Sequence, residues 1–199
     1  MNETRIAWVR FAAALAIALT AGCVGRAEVY RPQGPGTLTS HACGVALSTL
    51  AVPLAGDVEM HVTAFPARIY PVDYEQIALD IELLIGPGHV LVWPSTPLVV
   101  SSPSWSEPKR VDVVTIENKT LPIRQAFAPG VPLPGSDKLG QRPGYGVAFV
   151  TTGPRPQTKL PAVDRFDVTF PAIEVDGLAA QPVAVAFTID RAARAWICD

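Results

Sequence analysis

An all-β domain, built as an antiparallel β-sandwich with an immunoglobulin-like arrangement, is the fold class that three observations predict. Apolar residues recur at every second position in several segments, most plainly at Ile77, Leu79, Ile81, Leu83 and Ile85. Twenty prolines and 15 glycines punctuate the 199 residues. Proline fixes φ and lacks the backbone N–H, so this density implies many short elements joined by loops. Beyond residue 22, no stretch of roughly 12 residues keeps the 3.6-residue spacing of a helix.

Taken in order, the first clear strand places Val58, Met60, Val62 and Ala64 on one face and Glu59, His61 and Thr63 on the other, so His61 is expected to point away from the core. The run from Ile77 to Ile85 does the same, with Asp80 and Glu82 on its outer face. Residues 89–93, 98–101, 110–116 and 145–151 read as further strands. Phe166, Val168 and Phe170 face inward between Asp167 and Thr169, as do Val183, Val185, Phe187 and Ile189 in the last strand. Asp176-Gly177 is the strongest turn signal, because Asp-Gly suits a hairpin whose two central residues need positive φ. No internal repeat is visible. The buried tryptophan between two sheet-linking cysteines of true immunoglobulin domains cannot be mapped onto Cys43 and Cys198 with Trp93 or Trp105.

The first 23 residues have a different character. Arg5 and Arg10 precede an apolar run over residues 11–19, and small residues lead to Cys23 in Leu19-Thr20-Ala21-Gly22-Cys23. This layout is that of a secretory signal, removed from the mature protein, and it resembles a bacterial lipoprotein precursor. The uncharged stretch of 15 residues, 11–25, is short of the about 20 apolar residues that a spanning helix needs. The resemblance implies that Cys23 receives a diacylglycerol, becomes the first mature residue and is acylated on its new amino group. Thr20 departs from the family pattern, which more often has leucine three positions before the cysteine. In a host with two membranes, the resemblance implies the outer membrane, facing the periplasm, because Val24 rather than Asp follows the cysteine.

With Cys23 acylated, Cys43 and Cys198 remain as an even pair in a compartment where disulfides persist, and a disulfide between them is expected. The competing reading has His41 and Cys43 opening a metal site. Zinc sites usually supply ligands in recognisable pairs, and no second pair is present. Residues 1–22 are thus expected to be the signal peptide, 23–40 a lipidated and flexible tether rich in Pro and Gly, and 41–199 one folded domain.

Removing Arg5, Arg10 and Glu3 turns the 16 basic and 18 acidic side chains of the precursor into 14 and 17. Nucleic acid is not an expected partner of a chain with this balance and no concentrated basic run. Residues 117–144 interrupt the strand pattern for 28 residues with five prolines. Their segment around Phe127, Val131 and Leu133 is apolar for a loop. An extended proline-rich stretch docks on partners at low entropic cost, so these three residues are the candidate partner-binding set. The alternative is that they fold back over one end of the sandwich.

Chemistry is sparse. The chain has no Gly-x-Ser-x-Gly elbow, no phosphate-binding loop and no His-Glu-x-x-His motif. Asp80 and Glu82 could act as paired carboxylates or calcium ligands, but a solvated strand face accounts for them. Met60 and His61 are adjacent on a strand and so face opposite ways, which argues against a shared copper ion. The expectation is a membrane-anchored, non-enzymatic binding or assembly module of the cell envelope, with a protein partner and no cofactor or metal. The alternative is a secreted hydrolase or metal-binding protein whose site forms only in the fold.

Overall fold

The structure, a computed structural model, describes residues 25–40, 44–45, 48–68, 75–121, 124–136, 142–150 and 160–196. These form sixteen strands and no helix: β1 (Gly25–Gln33), β2 (Thr37–Ser40), β3 (Gly44–Val45), β4 (Ser48–Ala55), β5 (Val58–Arg68), β6 (Glu75–Ile85), β7 (Val90–Val92), β8 (Leu98–Ser101), β9 (Lys109–Asn118), β10 (Ala126–Phe127), β11 (Pro132–Pro134), β12 (Gly144–Val150), β13 (Arg165–Thr169), β14 (Glu174–Val175), β15 (Leu178–Ala179) and β16 (Ala184–Trp196). None of the described helices is long and apolar enough to cross a membrane, for none is present.

Every strand pairing is antiparallel, and the main path runs β1-β16-β13-β8-β9-β12-β6-β5-β4-β2. Strand β9 joins two layers, because its first residues pair with β8 and its remainder pairs with β12. At the other side the two path ends, β1 and β2, are consecutive in the chain and joined through residues 34–36. Strand β1 packs across the core against β4 and β5. The antiparallel sandwich expected from the sequence is present. Hydrogen bonding through β9 makes it more continuous than the two separate sheets of an immunoglobulin-like arrangement.

Alternation explains which side chains fill the core. Val58, Met60, Val62 and Ala64 are fully buried along β5, and Ile81, Leu83 and Ile85 along β6. The two strands pair over eleven positions from Val58 opposite Ile85 to Arg68 opposite Glu75, which sets one inward row beside the other. Phe166 stacks on Phe187 with ring centroids 4.8 Å apart and meets the edge of Tyr30 at 5.0 Å. Such ring pairs contribute about 0.5–1.5 kcal/mol beyond their buried area.

The flexible tether expected over residues 23–40 is not what the structure contains over its described part, 25–40. Strand β1 pairs with β16 from Gly25 opposite Ala195 to Gln33 opposite Ala186, and Val29 and Tyr30 are both fully buried. Among the described residues the fold already includes Gly25, well before His41. Composition concealed this for two physical reasons. Pro32 is tolerated because β1 is the terminal strand of the path among the described residues. Val29 and Tyr30, neighbours in the chain, are both fully buried, so the strand shows no period-two pattern.

The proline-rich stretch 117–144 is likewise not strand-free. Strand β10 pairs with β9, and β11 pairs with β7, Leu133 lying opposite Leu91. Strands β11, β7, β14 and β15 form a separate small sheet in that order. Strand β11 is its edge, and Pro132 and Pro134 there deny hydrogen-bond donors to any incoming strand.

Candidate functional site

Six titratable groups, His89, Asp176, Asp57, Arg142, Glu59 and His61, gather around the turn between β4 and β5. Gly56 takes φ 55° in this turn, and the His89 ring lies against it so closely that a Cβ on Gly56 would stand 2.7 Å from the ring's Cε1. His89 Nδ1 is 2.7 Å from Asp176 Oδ2. Asp176 occupies the left-handed position of the β14–β15 hairpin, at φ 55°, with Gly177 following at φ 78°. Its other carboxylate oxygen accepts the Val90 amide at 2.9 Å, while its own amide donates to the Val90 carbonyl at 2.9 Å. The turn residue is therefore also the clasp between hairpin and β7. The His89 hydrogen bond, followed by that of the Val90 amide, holds the Asp176 carboxyl below its usual value.

On the other side of Gly56, Arg142 donates from Nη1 to Asp57 at 2.8 Å and from Nη2 to Glu59 at 3.3 Å. Glu59 Oε2 also lies 3.1 Å from His61 Nε2. Glu59 and His61 share the outer face of β5, as period-two alternation requires. The His61 hydrogen bond, aided by the Arg142 charge against an opposing cost of burial, keeps the Glu59 carboxyl below its ordinary range.

Asp80 and Glu82 reach the same outer face, with Glu82 opposite His61 and Asp80 opposite Thr63. They do not converge with the histidine on a common point. Asp80 Oδ1 meets Lys119 Nζ at 3.3 Å, and Glu82 lies over Gly144, where a Cβ would come within 2.6 Å of its carboxylate oxygen. The stem of Lys119 fills the space above Gly146, 2.3 Å from where a Cβ would stand. Both glycines of Gly144-Tyr145-Gly146 thus admit neighbouring side chains onto the sheet, and no phosphate is needed to account for them. No group of three potential metal ligands is found among the described residues.

The chemistry of this arrangement is that of paired charges. Both imidazoles have carboxylates as their hydrogen-bond partners, Glu59 and Asp176, rather than a hydroxyl or thiol. Both carboxyls are shifted toward ionisation, whereas a general acid at neutral pH requires the opposite shift.

The three residues of the candidate partner-binding set separate. Leu133, the middle residue of β11, is fully buried and cannot touch a partner. Phe127 is half-buried, its ring 5.8 Å from that of Tyr145 in an edge-to-face contact, and Val131 is 40 % exposed. Tyr145 donates from its hydroxyl to the Pro134 carbonyl at 2.7 Å, which pins the proline-rich segment to β12. Burial raises the Tyr145 phenol above its ordinary value, so it remains a donor. Cys23, Cys43, Cys198 and His41 lie outside the described residues, and no disulfide is found among those described.

Asp57, Arg142 and the carboxylate of Asp176 were not legible as site residues. Asp176-Gly177 announces a turn, but its partner His89 is 87 positions away, and Arg142 meets Asp57 across 85. No family model matches the chain, and neither a characterised protein nor a solved structure matches it.

Proposed function

We propose that the chain is a lipid-anchored envelope protein whose β-sandwich serves as a binding or assembly module. The single observation that carries this reading is the join between anchor signal and fold. The Leu19-Thr20-Ala21-Gly22-Cys23 box ends two residues before β1, whose first residue, Gly25, is already paired with Ala195. An acylated Cys23 is then coupled to a rigid sheet, a geometry suited to holding one face of a domain at a fixed height above a membrane. The charge pairs around Gly56 support binding rather than catalysis, since they are engaged with one another and both carboxylates are biased toward their ionised form. A disulfide between Cys43 and Cys198 belongs to the same reading. The β3–β16 register, ending with Gly44 opposite Trp196, stops one residue short of Cys43 and two short of Cys198.

Anchoring is tested by intact-mass measurement of the protein purified from membranes. The expected result is a chain beginning at Cys23 with added acyl mass, and a Cys23→Ser variant that is uncleaved or leaves the acylated form entirely. Recovery of wild-type protein with residue 1 intact and no acyl mass refutes the proposal.

A further inference from the structure

We propose that Asp176-Gly177 is a site of covalent modification, the isomerisation of aspartate to isoaspartate, and that His89 holds this site closed in the folded protein. It is the one Asp-Gly pair of the chain. Glycine leaves the amide nitrogen after the aspartate unshielded, and the turn is open, since a Cβ on Gly177 would meet no atom within 4 Å. The reaction needs no partner and no cofactor. The Gly177 nitrogen bonds to Asp176 Cγ, one carboxyl oxygen leaves as water with the carboxyl and amide protons, and a cyclic imide results. Water then adds at the main-chain carbonyl of Asp176, and the bond from that carbon to the Gly177 nitrogen breaks, so that the chain runs through Cβ and Cγ. One water leaves and one enters, nothing is oxidised or reduced, and both residues are exposed to the solvent that takes part.

The fold withholds the reacting carboxyl. Asp176 Oδ2 lies 2.7 Å from His89 Nδ1, and Oδ1 accepts the Val90 amide at 2.9 Å. An ionised carboxylate only accepts, so His89 Nδ1 carries the proton of its bond. Cyclisation expels one of these two oxygens, and whichever leaves, one of the two hydrogen bonds must be given up. The same bonds favour the ionised carboxylate, the form whose oxygen is the poorer leaving group. Gly56 in turn positions the guard. Without a Cβ there, the His89 ring lies against the β4–β5 turn, its Cε1 2.7 Å from where that Cβ would stand. Isomerisation adds a backbone carbon to a two-residue turn whose residues hold φ 55° and 78°. It also takes the carboxylate off the side chain, so that the β14–β15 hairpin loses both side-chain bonds that fasten it beside β7.

The test incubates the full chain at neutral pH, folded or in denaturant, and then digests it with an endoproteinase that cleaves beside aspartate but not beside isoaspartate. Peptide left intact across residue 176 is the readout. The native wild-type protein is expected to isomerise more slowly than the denatured chain. His89→Phe keeps a ring against Gly56 but removes the donor, and it should raise the native rate about fivefold, the factor that one ordinary hydrogen bond carries. His89→Asn, whose side-chain amide offers a donor near the Nδ1 position, should stay near the wild-type rate. Circular dichroism establishes that each variant is folded. Equal native rates in the wild type and His89→Phe overturn the guard, and so does a rate in His89→Asn as fast as in His89→Phe, which would trace protection to hairpin stability alone. Should His89→Phe not fold, His89→Gln, whose amide reaches the Nε2 position instead, takes its place. Equal rates in native and denatured wild-type chains overturn the closure, and no isoaspartate in either overturns the site itself.

Discussion

Replacing Leu133 by alanine separates packing from docking in the proline-rich segment. The side chain is fully buried and belongs to one row with Leu91 and Val175, which are also buried, across β11, β7 and β14. Removing its isobutyl group loses the transfer energy of three carbons and leaves a cavity, together about 2–5 kcal/mol at a fully buried site. For a domain of this size each kcal/mol shifts the melting temperature by about 2–4 °C, so a cost near 3 kcal/mol lowers it by about 9 °C. Thermal unfolding followed by far-UV circular dichroism measures this directly. Val131→Ala is the internal control, because Val131 is 40 % exposed and its loss is expected to stay within about 0.5 kcal/mol. If Leu133→Ala melted within 2 °C of the wild-type protein, the packing of this segment into the core would be refuted and docking restored as its main role.

The lowered Glu59 carboxyl makes a pH prediction: its contribution is fully present above the ordinary value of 4.5 and is lost as the pH falls through and below it. In urea titrations at neutral pH and near pH 4, Glu59→Gln should therefore lose less stability on acidification than the wild-type protein, and an equal loss would disprove the linkage. Gly177→Ala meets no atom within 4 Å but must adopt φ 78°, so a purely backbone cost of about 1–2 kcal/mol is expected, read as a lower urea midpoint. Native protein treated with a thiol reagent should remain unlabelled at both Cys43 and Cys198 and become labelled at both after reduction; native labelling of both would exclude their disulfide.

Local alternation carried most of the fold. Residues 58–64 of β5 and 79–83 of β6 alternate between apolar and polar because one face must leave water, and a signal repeating every two residues is visible without knowing the partner strand. The Asp176-Gly177 turn was readable for the same local reason, positive φ at both positions. Strand β1 was not, because its neighbours Val29 and Tyr30 are both buried and its Pro32 is accommodated by a place at the end of the strand path, which is a property of the whole topology. Leu133 was visible as apolar, yet whether an apolar residue in a proline-rich segment is covered or exposed depends on Leu91, 42 positions earlier.

The sequence alone thus determined the class of the fold, the inward face of its regular strands and the Cys23 box, since each rests on residues within one short window. Long-range pairing settled the rest. It set His89 against Asp176 and bridged Asp57 and Glu59 with Arg142. Hydrogen bonds between charged groups act over about 3 Å, so which charges become partners depends on the register of strands that lie far apart along the chain.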